Sequence, residues 1–113
     1  MIVLTPVSYE YESICIDSAK LSSDGTFVII VRNTGDVKAT VDTIYLLDYL
    51  TSNLVARAEL FYVNGNQYDK IAVEPNSVVE IHGTFGVTVW GTFTIKVVTL
   101  TGVEASVITI VRS

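Results

Sequence analysis

The chain has 113 residues, enough for one ordinary domain and too few for two. Its formal net charge of −5 combines 12 acidic with 7 basic residues, and the basic ones stand singly along the chain, which excludes the clustered Lys and Arg that phosphate neutralisation requires. Half of the residues are hydrophobic and 17% are charged, at a mean hydropathy of +0.49, so more apolar surface is expected than a solitary soluble domain needs.

The 18 Val, 11 Ile and 13 Thr set the class as all-β, because β-branched side chains lose rotamer freedom in helices and pack well on a pleated sheet. Met1 leads straight into Ile2-Val3-Leu4, which reads as a strand. No signal-like apolar region opens the chain, and no stretch approaches the roughly 20 residues that span a bilayer. Cys15, the single cysteine, lies between Ile14 and Ile16 and is expected to be a small, half-buried apolar residue with no intramolecular disulfide partner.

After the Ser22–Gly25 turn, Thr26 to Val31 is an unbroken strand-forming run that ends at the Asn33-Thr34-Gly35 turn signal. Its outer set, Val28 and Ile30, is as apolar as its inner set of Phe27, Ile29 and Val31. In the next run, Val41 followed by Ile44 and Leu46 breaks the two-residue period, which predicts a bulge near Asp42-Thr43. Leu46 to Leu50 has the length for a helical turn, but the residues before it favour strand. Alternation then predicts one strand from Asn53 to Val63, with Leu54, Ala56, Ala58, Leu60 and Tyr62 facing the core.

Asn64-Gly65-Asn66 reads as a hairpin tip. Asp17, Asp24, Asp36, Asn64, Asn66 and Asp69 lie in or near turns, but no calcium-loop pattern supplies the six to eight oxygens that ion takes, so no metal is expected. Past the Glu74–Ser77 turn, Val79 and Ile81 point inward while Glu80 and His82 point outward. A His–Glu pair can act as acid and base, yet no Ser or Cys nucleophile has a positional claim on it, and a solvated histidine is the reading adopted.

Between Gly83 and Gly91, the chain carries Phe85, Val87, Val89 and Trp90, its only tryptophan. The glycines do not make a phosphate-binding spacing, and no cofactor is expected. These four residues are candidates for a partner site, since aromatic side chains dominate interface hot spots; Trp90 as a plug between two sheets is the competing reading. In Thr92 to Leu100, Phe93, Ile95 and Val97 face inward. The last run, Val103 to Arg112, has Val107 and Val111 on one face and Ile108 and Ile110 on the other. Turns at this spacing predict eight or nine strands in a single antiparallel β-sandwich of immunoglobulin-like type, residues 1–113 forming one domain.

The stretches Asp24–Asp36 and Val41–Leu47, the Val73–Ser77 turn and the Gly91–Thr99 strand together resemble the extracellular β-domains of archaeal pilin-like and archaellin-like proteins. With no Asn-X-Ser/Thr sequon and a compact length, the chain is most similar to the archaellum accessory proteins F and G. That resemblance implies a non-enzymatic stator module on the outer face of the archaeal cell membrane, in the pseudo-periplasm, binding an S-layer or other surface protein and holding the motility machinery in place. It also implies a hydrophobic membrane helix upstream of Met1. A filament subunit, pilin or archaellin, and a cell-surface adhesion or carbohydrate-binding module are the alternatives. Val28, Ile30, Ile108 and Ile110 add an expectation of homodimerisation, through a sheet face or an edge strand, with Val103–Arg112 the favoured surface.

Overall fold

The structure, a computed structural model, describes residues 10–111; the strand expected at Ile2–Leu4 lies outside them. Among the described residues ten strands alternate with turns: β1 (Ile14–Leu21), β2 (Thr26–Asn33), β3 (Ala39–Asp48), β4 (Leu54–Ala58), β5 (Phe61–Val63), β6 (Asn66–Tyr68), β7 (Ile71–Val73), β8 (Val78–Thr84), β9 (Gly91–Thr99) and β10 (Glu104–Val111). They form two antiparallel sheets packed face to face. The first has the order β1-β2-β8-β5-β6; the second has the order β10-β9-β3-β4, with β7 also paired to β3. This is the all-β sandwich expected. Among the described residues no helix is long and apolar enough to cross a membrane.

Period-2 alternation builds the core from both inner faces. Phe27, Ile29 and Val31 of β2 and Ile81 of β8 come from the first sheet; Ile44 and Leu46 of β3 and Ile95 and Val97 of β9 come from the second. Each such side chain contributes roughly 1.5–3 kcal/mol on leaving water, which offsets the entropy of ordering the strands. The bulge in β3 sits between Val41 and Thr43, as the broken period requires, and lets Thr43 and Ile44 both turn inward. The Leu46–Leu50 segment is strand to Asp48 and then a turn, with no helix.

One expectation fails. Asn53 to Val63 is not a single strand: β4 belongs to the second sheet and β5 to the first. Glu59 and Leu60 carry the chain across the sandwich, and the inward phase shifts there. Ala58 is buried before the crossing and Phe61 after it, while Leu54, Leu60 and Tyr62, expected inside, are exposed. A strand that changes sheets keeps its core on one side only by slipping one residue in phase.

Asn33 does more than mark a turn. Its side chain is buried, its Nδ2 donates to the carbonyls of Val37 and Val73, each at 2.8 Å, and its Oδ1 accepts from the Gly35 amide at 2.8 Å. The end of β2 is thereby fastened to the approach to β3 and to β7. Gly25, at φ +89°, closes the β1–β2 turn; a Cβ there would lie 2.3 Å from the Val87 carbonyl oxygen. The segment after β8 uses that space, with the Phe85 and Val89 amides donating to the carbonyls of Gly25 and Ser23.

Candidate interaction surface

Which way each outward side chain points follows from strand parity, and the two outer faces differ in what they carry. On the first sheet the register places Lys20, Val28 and His82 in one row, with Tyr62 completing it, and Ser18, Ile30 and Glu80 in the next. Val28 and Ile30 are therefore half-buried between polar neighbours, which leaves little continuous apolar area on that face. A shallow depression of about 390 Å³ lies there, bordered by Val28, Tyr62, His82 and Thr84. His82 faces Glu80, Nε2 to Oε1 3.7 Å, both exposed. Among the described residues, no Ser, Thr or Cys oxygen or sulfur is hydrogen-bonded to this histidine.

Near the edge of the same sheet, Arg32 Nε donates to Asp17 Oδ2 at 3.0 Å and holds the Asp17 carboxyl below the usual carboxylate range. Burial, followed by that carboxylate beside it, pushes the half-buried Cys15 thiol up, so the thiol rather than the thiolate is favoured. Asp24 is bonded by the Thr26 hydroxyl and amide, and Asp36 accepts from the Tyr11 amide. The carboxylates of Asp17, Asp24 and Asp36 are thus occupied with the chain's own donors. Among the described residues, no group of three or more His, Cys, Asp or Glu is arranged to hold a metal ion.

The glycine-punctuated segment divides. Phe85 (6% exposed) and Val89 (3%) are core residues, the Phe85 ring lying 4.6 Å from that of Phe27 at an interplanar angle of 34°. Val87 packs partly against the same cluster. These three, put forward as partner contacts, instead close one end of the sandwich, because the segment folds back over the β1–β2 turn. Gly83 lets this happen: a Cβ there would meet the Phe27 ring at 2.6 Å. Trp90 goes the other way. It is 58% exposed and plugs nothing.

The outer face of the second sheet carries the apolar surplus. Ile108, Thr94, Leu47 and Leu54 are register partners across β10, β9, β3 and β4 in turn, and Ile110 pairs Thr92 in the next row. Exposures are 56% for Ile108, 53% for Ile110 and 58% for Leu54. Tyr49 and Leu50, in the turn leaving β3, continue the same end; the Tyr49 amide donates to the Thr92 carbonyl. Trp90 stands immediately before β9 at that end. The other half of the face is the charged half, and its charges pair locally: Lys96 with Glu104 at 3.4 Å and Arg57 with Glu59 at 3.4 Å.

Of the residues singled out from the sequence, Ile108, Ile110 and Trp90 are brought to this one end. Leu47, Tyr49, Leu50 and Leu54 join them and were missed. The signal for Leu54 was present: Leu46 faces the core, so Leu47 faces out, and a hairpin across Tyr49–Asn53 sets Leu54 opposite Leu47.

No family model matches the chain, and no curated protein matches it in sequence. Solved structures do match in fold. The chain is similar to the archaellum periplasmic stator protein FlaG from Sulfolobus acidocaldarius, at TM-score 0.62 and 22% identity, over 88% of this chain and 100% of that one. It is also similar to a chain of the archaellum periplasmic stator protein complex of FlaF and FlaG from the same organism, at TM-score 0.58 and 18% identity, over 96% and 98%. The resemblance read from the sequence is thus matched by a shared fold along nearly the whole chain.

Proposed function

We propose that this chain is a non-enzymatic anchoring module of the archaeal motility filament, a stator held outside the cell membrane that grips an S-layer or other surface protein and further copies of itself. The observation that supports this best is the fold match to FlaG, over 88% of this chain and 100% of the chain in that structure. The chemistry is compatible with it: the polar groups around His82 and Cys15 are engaged with neighbours, and the surplus of the chain is apolar surface. Its acidic balance makes nucleic acid an unsuitable partner.

Removing the gene from its host and scoring swimming, then fractionating the wild-type cells, tests the proposal. The expected result is lost motility, with the protein in the cell-envelope fraction and captured with surface-layer protein after crosslinking. Recovery as a main component of sheared, purified filaments would instead make it a filament subunit, and unaltered swimming would overturn the role.

A further inference from the structure

We propose that the uncharged end of the outer face of the second sheet packs against the same face of a second copy of this chain; the proposal rests on reading the chain as an assembly module. Three observations converge. The first is continuity: Ile108, Thr94, Leu47 and Leu54 form an unbroken row across four strands, with Ile110, Thr92, Tyr49 and Leu50 extending it. Contiguous exposed apolar area, rather than scattered apolar residues, is what marks an interaction site.

The second is size. Leu50 at 86% exposed, with Leu54, Ile108, Ile110, Tyr49 and Trp90 each about half exposed or more, present several hundred Å². One side of a standard protein interface buries about 800 Å². A patch of this size, two aromatics included, can form the core of such an interface, and the Thr residues between supply a polar but neutral rim.

The third is charge. Two copies at −5 each repel, so a face that presents no unpaired charge is where that repulsion costs least. Among the described residues, the one carboxylate at this end is that of Asp48. It has the opposite parity, being the partner of Phe93, and is held by the Thr51 amide and hydroxyl at 2.9 and 2.8 Å. The charged residues in the other half of the face, Lys96, Arg57, Glu59 and Glu104, are already neutralised in pairs. An anionic lipid surface would require an excess of Lys or Arg beside the patch, and among the described residues this face offers no such excess. A self-complementary, neutral, apolar face is what a two-fold dimer needs.

Sedimentation equilibrium on the wild type, on Ile108→Glu/Leu54→Glu, which adds like charge at both ends of the row, and on Val78→Lys tests this. Val78 is exposed on the opposite, first sheet and serves as the control. The wild type and Val78→Lys are expected to dimerise, and the double variant to dissociate at least about tenfold more readily with an unchanged far-UV circular dichroism spectrum. Loss of the dimer in Val78→Lys but not in the double variant would overturn the assignment of the face. So would a wild type that stays monomeric at high micromolar concentration, or one that sediments with phosphatidylcholine vesicles instead of dimerising. If the double variant unfolds, the milder Leu50→Ser, on the most exposed of these side chains, carries the same readout. A monomeric wild type from a host that still loses motility on gene removal would sink this surface and leave the anchoring role standing.

Discussion

Asn33 shows how much one polar side chain decides. Its amide satisfies two carbonyls and one backbone amide where no solvent reaches. Asn33→Ala leaves all three without that partner and is expected to cost about 2–4 kcal/mol in urea unfolding, far more than an exposed turn residue would. The ion pairs act more weakly and through pH. Arg32 lowers the Asp17 carboxyl, Lys70 that of Asp42, and the Thr51 and Thr26 hydroxyls those of Asp48 and Asp24. Each of these groups binds its proton less readily folded than unfolded. The stability they confer is therefore complete above the ordinary carboxylate range and is lost as pH falls through the depressed values. In an NMR titration, Arg32→Ala should move the Asp17 midpoint upward toward that range while leaving Asp24 and Asp48 unchanged.

Among the elements, the segment between β8 and β9 separates two kinds of aromatic that look alike in sequence. Phe85→Ala opens a cavity against Phe27 and is expected to cost about 3–5 kcal/mol, whereas Trp90→Ala should change stability by less than about 0.5 kcal/mol. Chemical denaturation of both variants checks this, and equal losses would contradict the division. Strands with one polar and one apolar face were legible before any coordinates: β8 and β9 have the alternation that Val79, Ile81, Phe93, Ile95 and Val97 announce, and the β3 bulge is visible in the spacing of Val41 and Ile44. What was not legible depends on contacts distant along the chain. Nothing local at Glu59-Leu60 says that the strand leaves one sheet for the other, and the fate of Phe85 is set by a turn sixty residues earlier. The surface at Leu47 and Leu54 was missed for a different reason: its signal is local, but Leu54 was phased with a strand that stops at Ala58.

For the whole molecule, charge and apolar surface pull in opposite directions. The excess of carboxylates opposes indiscriminate association at neutral pH, and protonation removes it as the pH approaches 4.6. A solubility minimum between about pH 4 and 5 is expected by light scattering, with clear solutions at pH 8. The order of the strands has a consequence for how the molecule comes into being. β2 has β1 beside it at once, but its other neighbour, β8, begins at Val78; β3 waits for β9 until Gly91. Until the last third of the chain is made, the first two thirds hold hairpins and the three-residue β3–β7 pairing, with no second sheet to close the core, and such pieces are marginal in water alone. A growing polypeptide of this topology therefore stays slack through most of its synthesis, and it locks into shape only after β9 has been made.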